Sequence, residues 1–296
     1  MLMRFGIVVT IFLLVLAAGC GDPDPVSAQR YAEPDRLFAI LDDNVAASED
    51  LEKVVGIDHS RLGADAGSFM PPAQVLIFSD PALDAKLIAR NQLSAIDLPL
   101  RILAYESEPG GDARVIYNSF NYMRSRYALG DSPELQARYT SSMAMALQGI
   151  AAEQVAAFPG DDMQPDGIIT LTSPFDFENT VEKLIVAIDA QDDTVWFGKI
   201  DFQARAQAQG IEVAPTKLLL FGGPAPGAKA MANAPTLGLD AFCQKLLVWQ
   251  DENGAVHASF NDLLAIAERQ DASKSVPLRV INRRLNSTFS TALEAE

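Results

Sequence analysis

The chain contains the stretch VLIFSDP at residues 75–81 and a similar stretch, LLLFGGP, at residues 218–224. In both, four apolar residues ending in phenylalanine are followed by two small or polar residues and a proline. The apolar run predicts a buried strand, and the residues after it predict a break before the next element. The two stretches are 143 residues apart, and this spacing indicates an internal repeat.

Other landmarks recur at the same 143-residue offset, or at 144 where the second copy has one extra residue. A duplicated unit tolerates one such insertion in a loop. The matching landmarks are Ile57-Asp58 with Ile200-Asp201, Asp97 with Asp240, Tyr105 with Trp249, Tyr117-Asn118 with Phe260-Asn261, and Leu135 with Leu278. We therefore expect two tandem copies of one fold.

Each copy is predicted to be α+β, with a small antiparallel sheet covered by helices and followed by an amphipathic helix. In the second copy, residues 168–173 alternate apolar and polar as a half-buried strand does, and Asp176 precedes apolar residues at helical spacing. Asn253-Gly254 supplies a tight hairpin turn. The amphipathic helices are predicted over 135–150 and 278–293.

Two further helices are expected in the second copy. A short one lies around Ala228 to Ala234, and the other runs through Leu263 and Ala267 with Asn261 as its N-cap. The first copy is expected to repeat the same order of elements.

The repeat and the local composition divide the chain into segments. Residues 1–20 are predicted to be a signal, and residues 21–33 form a tether and the start of the first repeat, which spans 24–158. Chain breakers and charges make residues 159–166 the linker. The second repeat, with its C-terminal helix, spans 167–296.

The N-terminus is typical of a bacterial lipoprotein. Arg4 precedes an apolar run from Phe5 to Leu16 that is short against the roughly 20 residues needed to cross a bilayer, and small residues lead to Cys20. The resemblance implies that Cys20 becomes the lipid-bearing first residue. We expect a periplasm-facing protein held in the cell envelope by that lipid, and Gly21 favours the outer over the inner membrane.

The chain is strongly acidic, with a net charge of -16, and therefore has no electrostatic footprint for nucleic acid. Residues 222–229 superficially resemble a phosphate-binding loop, but Ala228 stands where the motif needs lysine, which argues against a nucleotide. Once Cys20 is lipidated, Cys243 is the one remaining thiol, so no internal disulfide can form. Two histidines and one thiol are also too few ligands for a zinc site. No metal and no cofactor is expected.

Several motifs together resemble the family catalogued as domain of unknown function 302. The second copy carries FGGP at 221–224, APTLGLD at 234–240 and LVW at 247–249, and the first carries IDH at 57–59 and YN at 117–118. The resemblance covers nearly all of the mature chain. It implies a small α+β domain in each copy but no established activity.

The same motifs single out candidate site residues at strand ends. The candidates are Asp58, His59, Tyr117 and Asn118 in the first copy and their counterparts Asp201, Phe260 and Asn261 in the second, where Phe202 replaces the histidine. Asp58 and Asp201 either cap the chain where a strand ends, or Asp58 and His59 form an acid–base or ligand pair. A histidine with its ordinary pKa of about 6.5 would change charge in a mildly acidic envelope.

Two classes of function fit these observations. The favoured one is a membrane-anchored, non-enzymatic binding or scaffold protein whose paired domains bind an unknown envelope protein or a small apolar ligand. The alternative is an enzyme or metal-assisted catalyst with its site at Asp58 and His59. Loss of the histidine from one copy favours the first class, since a scaffold tolerates that loss more readily than a pair of active sites does.

The lipoprotein prediction is tested by Cys20→Ala. Because no other side chain accepts the lipid, the variant is expected to leave the membrane fraction or to stay unprocessed. Membrane fractionation and the mass of the mature protein measure both outcomes. A variant that is processed and still fractionates with membranes would contradict the prediction.

Overall fold

The computed structural model describes residues 28–107, 110–160 and 163–294. The predicted signal, Cys20 and most of the tether therefore lie outside the described residues. Within those residues, no helix combines the length and the apolar character that crossing a bilayer requires.

Among the described residues, the first repeat has five helices and five strands, with two short 3-10 helices between them. They are α1 (Ala28–Ala47), β1 (Glu52–Asp58), α2 (His59–Asp65), β2 (Ala73–Ser79), α3 (Pro81–Arg90), a 3-10 helix (Gln92–Ile96), β3 (Leu100–Glu106), β4 (Ala113–Asn118), α4 (Phe120–Arg126), α5 (Pro133–Ala146), a 3-10 helix (Ala152–Gln154) and β5 (Val155–Phe158).

The second repeat has the same number of helices and strands. They are β6 (Ile168–Ser173), α6 (Phe177–Asp189), β7 (Val195–Asp201), α7 (Phe202–Ala208), β8 (Thr216–Gly222), α8 (Pro224–Met231), a 3-10 helix (Pro235–Gly238), β9 (Gln244–Gln250), β10 (Val256–Asn261), α9 (Leu263–Arg269) and α10 (Val276–Ala292). The predicted α+β class, with two helix-covered sheets and an amphipathic helix after each, is confirmed.

Each repeat contains one five-stranded sheet, and the strand orders are β1-β2-β3-β4-β5 and β7-β8-β9-β10-β6. Strands β1 to β4 and β7 to β10 are antiparallel throughout. The fifth position is filled in two different ways. Strand β5 is the last element of the first repeat and pairs with β4 in parallel, whereas β6 is the first element of the second repeat and pairs with β10 antiparallel. The expectation that the first copy repeats the element order of the second is therefore wrong at this strand, because the described part of the first repeat begins with α1 where the second repeat begins with β6.

The core elements of the two repeats begin and end at matching positions. Phe78 lies in β2 and Phe221 in β8, each the second strand of its sheet. The beginnings of two helices also differ from the sequence predictions. Helix α8 begins at Pro224, because proline is well suited to the first helical turn, and not near Ala228. Helix α9 is capped by Asp262, whose side chain accepts the backbone N–H of Leu264, because Asn261 ends β10.

The two repeats pack against each other reciprocally. Helix α2 contacts α8 and α3 contacts α7, while the 3-10 helix of each repeat (Gln92–Ile96 or Pro235–Gly238) covers strands of the other sheet. Helices α2 and α8 come very close because Gly63 has no side chain; a Cβ there would lie 2.4 Å from the Cβ of Ala228. The strands that face this joint are therefore buried on both sides.

Candidate functional site

Asp58 and Asp201 have the same local role in the two repeats. Each ends a strand and caps the helix that follows: Asp58 Oδ1 accepts the backbone N–H of Arg61 at 2.8 Å, and Asp201 Oδ1 accepts that of Ala204 at 2.9 Å. Asp58 also accepts the hydroxyl of Ser60 and pairs with the Arg61 guanidinium at 2.6 Å. These are the contacts that the capping interpretation requires.

His59 lies at the joint between the repeats. Its ring is 6% exposed, and its Nε2 is 3.0 Å from the carbonyl oxygen of Gly238 in the second repeat. A Cβ at Gly238 would lie 2.9 Å from His59 Cδ2, so the contact needs glycine there. Burial lowers the pKa of His59 to about 4. The expectation that His59 titrates near its ordinary pKa is therefore wrong, because the buried ring stays neutral.

Asn118 and Asn261 converge on one buried group of charges. Asn118 Nδ2 donates to both carboxylate oxygens of Asp240, at 3.1 and 3.2 Å, and Asn261 Oδ1 accepts from Arg126 at 2.6 Å. Both contacts cross between the repeats. We call the charged residues at their centre the interface cluster: Asp97, Arg101, Arg126, Asp240 and Lys245, all buried.

Asp97 accepts three side-chain hydrogen bonds in the interface cluster. Its Oδ2 accepts from Arg126 at 2.5 Å and from the Tyr127 hydroxyl at 2.7 Å, and its Oδ1 accepts from Lys245 at 3.0 Å. Burial alone would raise the pKa of Asp97, but attraction by Arg126, Lys245 and Arg101 outweighs it and holds that pKa well below its usual range. Asp97 is therefore ionised.

The two aspartates share two cations. Lys245 Nζ lies 3.6 Å from Asp240 Oδ1, and Arg101 Nη1 lies 3.7 Å from Asp97 Oδ1 and 3.8 Å from Asp240 Oδ1. The interface cluster thus contains three cations and two carboxylates. Burial and then repulsion by Arg101 lower the pKa of Lys245, which is the expected response to a surplus of positive charge away from water.

Tyr117 lies apart from the interface cluster, in an open groove between β4, α4 and α5. The groove has a volume of about 330 Å³, within the range of small-molecule sites. We call it the Tyr117 groove, and it is lined by Tyr117, Ser119, Phe120, Asn121, Gln136, Tyr139, Thr140, Met143, Ala144 and Leu147. Phe260, the counterpart of Tyr117, is instead buried with its ring 5.0 Å from that of Phe289.

The four first-repeat candidates do not form one site. Across the described ranges, no hydrogen bond or ion pair joins Asp58 or His59 to Tyr117 or Asn118. The sequence reasoning also missed Arg101, Arg126 and Lys245. Arg101 and Lys245 are matched by the 144-residue offset, and two basic residues at equivalent strand positions were the available signal.

The interface cluster is suited to holding the repeats together. Its charges are buried and paired. Among the described residues, Arg101 Nη1 and Arg126 Nε, and Asn118 Oδ1 beside them, have no hydrogen-bond partner, although Arg101 Nη1 lies within ion-pair distance of both aspartates. Between residues 28 and 294, omitting the four undescribed positions, no group of three His, Cys, Asp or Glu side chains is placed to bind a metal. The carboxylates are engaged by cations of the protein itself.

Comparison with known proteins gives one family. The sequence model of the family described as "Domain of unknown function DUF302" matches residues 32–150 and 169–291. A crystal structure of an uncharacterized conserved DUF302 protein from Bacillus stearothermophilus is similar at a TM-score of 0.36 and 16% identity, covering 43% of this chain and 95% of that chain.

Curated relatives share a shorter stretch of sequence. The chain is 30% identical over 109 residues to fluoride-specific ion channel FluC 1 of Brucella suis biovar 1 (strain 1330), covering 37% of this chain and 42% of the relative. FluC 1 of Brucella abortus biovar 1 (strain 9-941) matches at 30% identity, with 37% and 40% covered. The match thus spans about two fifths of the length of these relatives.

The charge balance of the interface cluster predicts unequal effects of two substitutions. Asp97→Asn leaves three cations around one carboxylate and should lower the free energy of unfolding by about 3–5 kcal/mol. Lys245→Met leaves two cations and two carboxylates and should cost only about 1–2 kcal/mol. Urea unfolding measures both. Lys274→Met, which removes an exposed pair with Glu268, is the control and should change stability by less than about 0.5 kcal/mol. Equal losses for Asp97→Asn and Lys245→Met would contradict the argument.

The buried, neutral ring of His59 predicts a dependence of stability on pH. Because its pKa is lowered to about 4 in the fold from about 6.5 when unfolded, the unfolded chain binds a proton that the folded chain excludes. This contribution is fully present above pH 6.5 and is lost as the pH falls towards 4, by about 3 kcal/mol. Denaturant unfolding of His59→Phe, which installs the second repeat's residue, should show a correspondingly flatter pH profile. Identical profiles would mean that His59 binds its proton equally well in the folded and the unfolded chain, and would contradict the argument.

Proposed function

The chain belongs to the DUF302 family in two tandem copies, and from that premise we propose that it is a lipid-anchored envelope protein that binds and does not catalyse. The first repeat takes a small, largely apolar ligand in the Tyr117 groove. The second repeat is a scaffold that fixes the first in place. A lipid on Cys20 holds the pair at the membrane, the outer one being favoured.

The residues that line the Tyr117 groove support the proposal of a small apolar ligand. The rings of Tyr117 and Phe120 and the side chains of Met143 and Leu147 offer apolar contact, while a few hydroxyl and amide groups border it. A larger depression of about 450 Å³ beside α7 has no aromatic side chain in its lining. An apolar ligand is therefore better accommodated beside Tyr117.

Two observations weigh against the alternative of catalysis at Asp58 and His59. The carboxylate of Asp58 is engaged by the N-terminus of α2, by Ser60 and by Arg61. The Nε2 of His59 is directed to a backbone carbonyl, and burial lowers its pKa to about 4. A general acid or base at neutral pH needs a pKa closer to 7 and a free path to substrate.

The scaffold role rests on the interface cluster. Three of its contacts cross between the repeats: Asn118 with Asp240, Arg126 with Asn261, and Lys245 with Asp97. A buried ion pair fixes geometry because separating its partners leaves an unpaired charge away from water. The proposed anchor rests on the sequence that precedes Cys20. Residues 21–27 would then separate the lipid on Cys20 from the start of α1 at Ala28.

The groove is tested with a matched pair of tryptophan substitutions. Ala144 is exposed in the Tyr117 groove, and Ser287 is exposed at the matching position of α10. Ala144→Trp should fill the groove and weaken the binding of Nile red, an apolar probe, by about tenfold. Ser287→Trp should leave the affinity unchanged. Fluorescence titration of the full chain measures both, and native mass spectrometry identifies any molecule that copurifies.

Equal affinity of the two variants for Nile red would place apolar binding elsewhere. If wild type and Ser287→Trp copurify with a protein that Ala144→Trp loses, the groove takes a partner protein and the small-ligand proposal is wrong.

A further inference from the structure

A small crevice lies between α2 of the first repeat and α8 of the second, where Gly63 lets the two helices approach. Most of its lining is apolar, and it has a volume of about 20 Å³, enough for a single water-sized guest. Three side chains with nitrogen or sulfur donors also line it: His59, Met231 and Cys243. The crevice is distinct from the Tyr117 groove, which none of these residues lines.

The hydrogen bond of His59 determines which of its nitrogens is free. A carbonyl oxygen can only accept, so Nε2 carries the hydrogen that is donated to Gly238. The Nδ1 of the neutral ring is then a lone-pair donor, and it has no hydrogen-bond partner among the described residues. A ring held through one N–H by a backbone carbonyl, with the other nitrogen free, is the usual state of a metal-binding histidine.

The two sulfur groups complete a soft ligand set. Cys243 is buried, and it is a free thiol. Burial raises the pKa of the Cys243 thiol to about 11, so the proton stays on sulfur until a cation displaces it. Met231 is also buried and supplies a thioether, a donor that hard cations do not favour.

We propose that His59, Met231 and Cys243 bind one soft monovalent metal ion, Cu⁺, in the crevice between the repeats. On binding, the S–H bond of Cys243 breaks, its proton leaves to solvent and a sulfur–copper bond forms, with no change of oxidation state. The thiolate and Cu⁺ together are neutral, which suits an apolar cavity. A divalent ion with the same ligands would leave an unpaired buried charge.

The second crossing between the repeats, where α3 meets α7, lacks this chemistry. By the repeat offset, the positions of His59, Met231 and Cys243 correspond to Phe202, Ile88 and Pro99, none of which offers a soft donor. The three donor side chains are therefore present at one of the two crossings, and the duplication of the fold does not by itself account for them.

The proposal is tested with the full chain and Cu⁺ supplied as its bicinchoninate complex under anaerobic, reducing conditions. Wild type should withdraw one equivalent of Cu⁺, release about one proton, and give an X-ray absorption spectrum with nitrogen and sulfur ligands. Cys243→Ser and His59→Phe should each weaken binding by tenfold or more, and Met231→Leu by a smaller factor. The matched control His257→Phe, which replaces a histidine outside the crevice, should bind as wild type does.

Circular dichroism and thermal melting establish that each variant is folded. The proposal is overturned if wild type leaves the chelator complex intact, since the crevice then holds at most a water. It is also overturned if folded Cys243→Ser or His59→Phe binds Cu⁺ as tightly as wild type. For any variant that fails to fold, the ligands seen by X-ray absorption in wild type decide, and a spectrum without sulfur contradicts the proposal.

Discussion

Asp97 and Asp240 are two buried carboxylates at matching positions of the duplicated sequence, and they share Lys245 and Arg101 across the joint between the repeats. Charges removed from water must be paired within the protein, and the pairing comes from both copies. This requirement brings the two sheets together and places Asn118 and Arg126 where each can reach the other repeat. The close approach of α2 to α8, and with it the His59 contact, occurs at the same joint.

The two copies have similar folds but differ in where equivalent polar side chains lie. Arg126 is buried in the interface cluster, whereas Arg269, its counterpart, pairs with Asp166 near the surface. Tyr117 borders a groove, whereas Phe260 fills a core. These substitutions are consistent with the proposed function, in which one repeat presents a ligand surface and the other supplies rigidity.

Local sequence signals predicted the local structure well. The apolar runs and the offset located β2 and β8, and Asp176 caps α6 as its spacing from the apolar residues indicated. The joint between the repeats could not be predicted in this way. The bond from Asn118 to Asp240 joins residues far apart in sequence, and periodicity records only which face of an element is apolar, not which partner covers it. The ends of strands were interpreted as possible sites, although Asn118 and Asn261 make contacts between the repeats and Asp58 and Asp201 cap helices.

The fifth strands β5 and β6 have a consequence for the order in which the chain folds during synthesis. The first sheet can close as soon as residue 158 is available, because β5 pairs with a strand already made. Strand β6 is made next, yet 82 residues separate it from β10, the strand with which it pairs. Until β10 has been synthesised, the backbone N–H and C=O groups of β6 are unpaired while the first sheet is already formed. A non-native pairing of β6 with an edge of that sheet is then most easily made. The duplicated gene therefore encodes one unit that folds early and one that waits for its last strand.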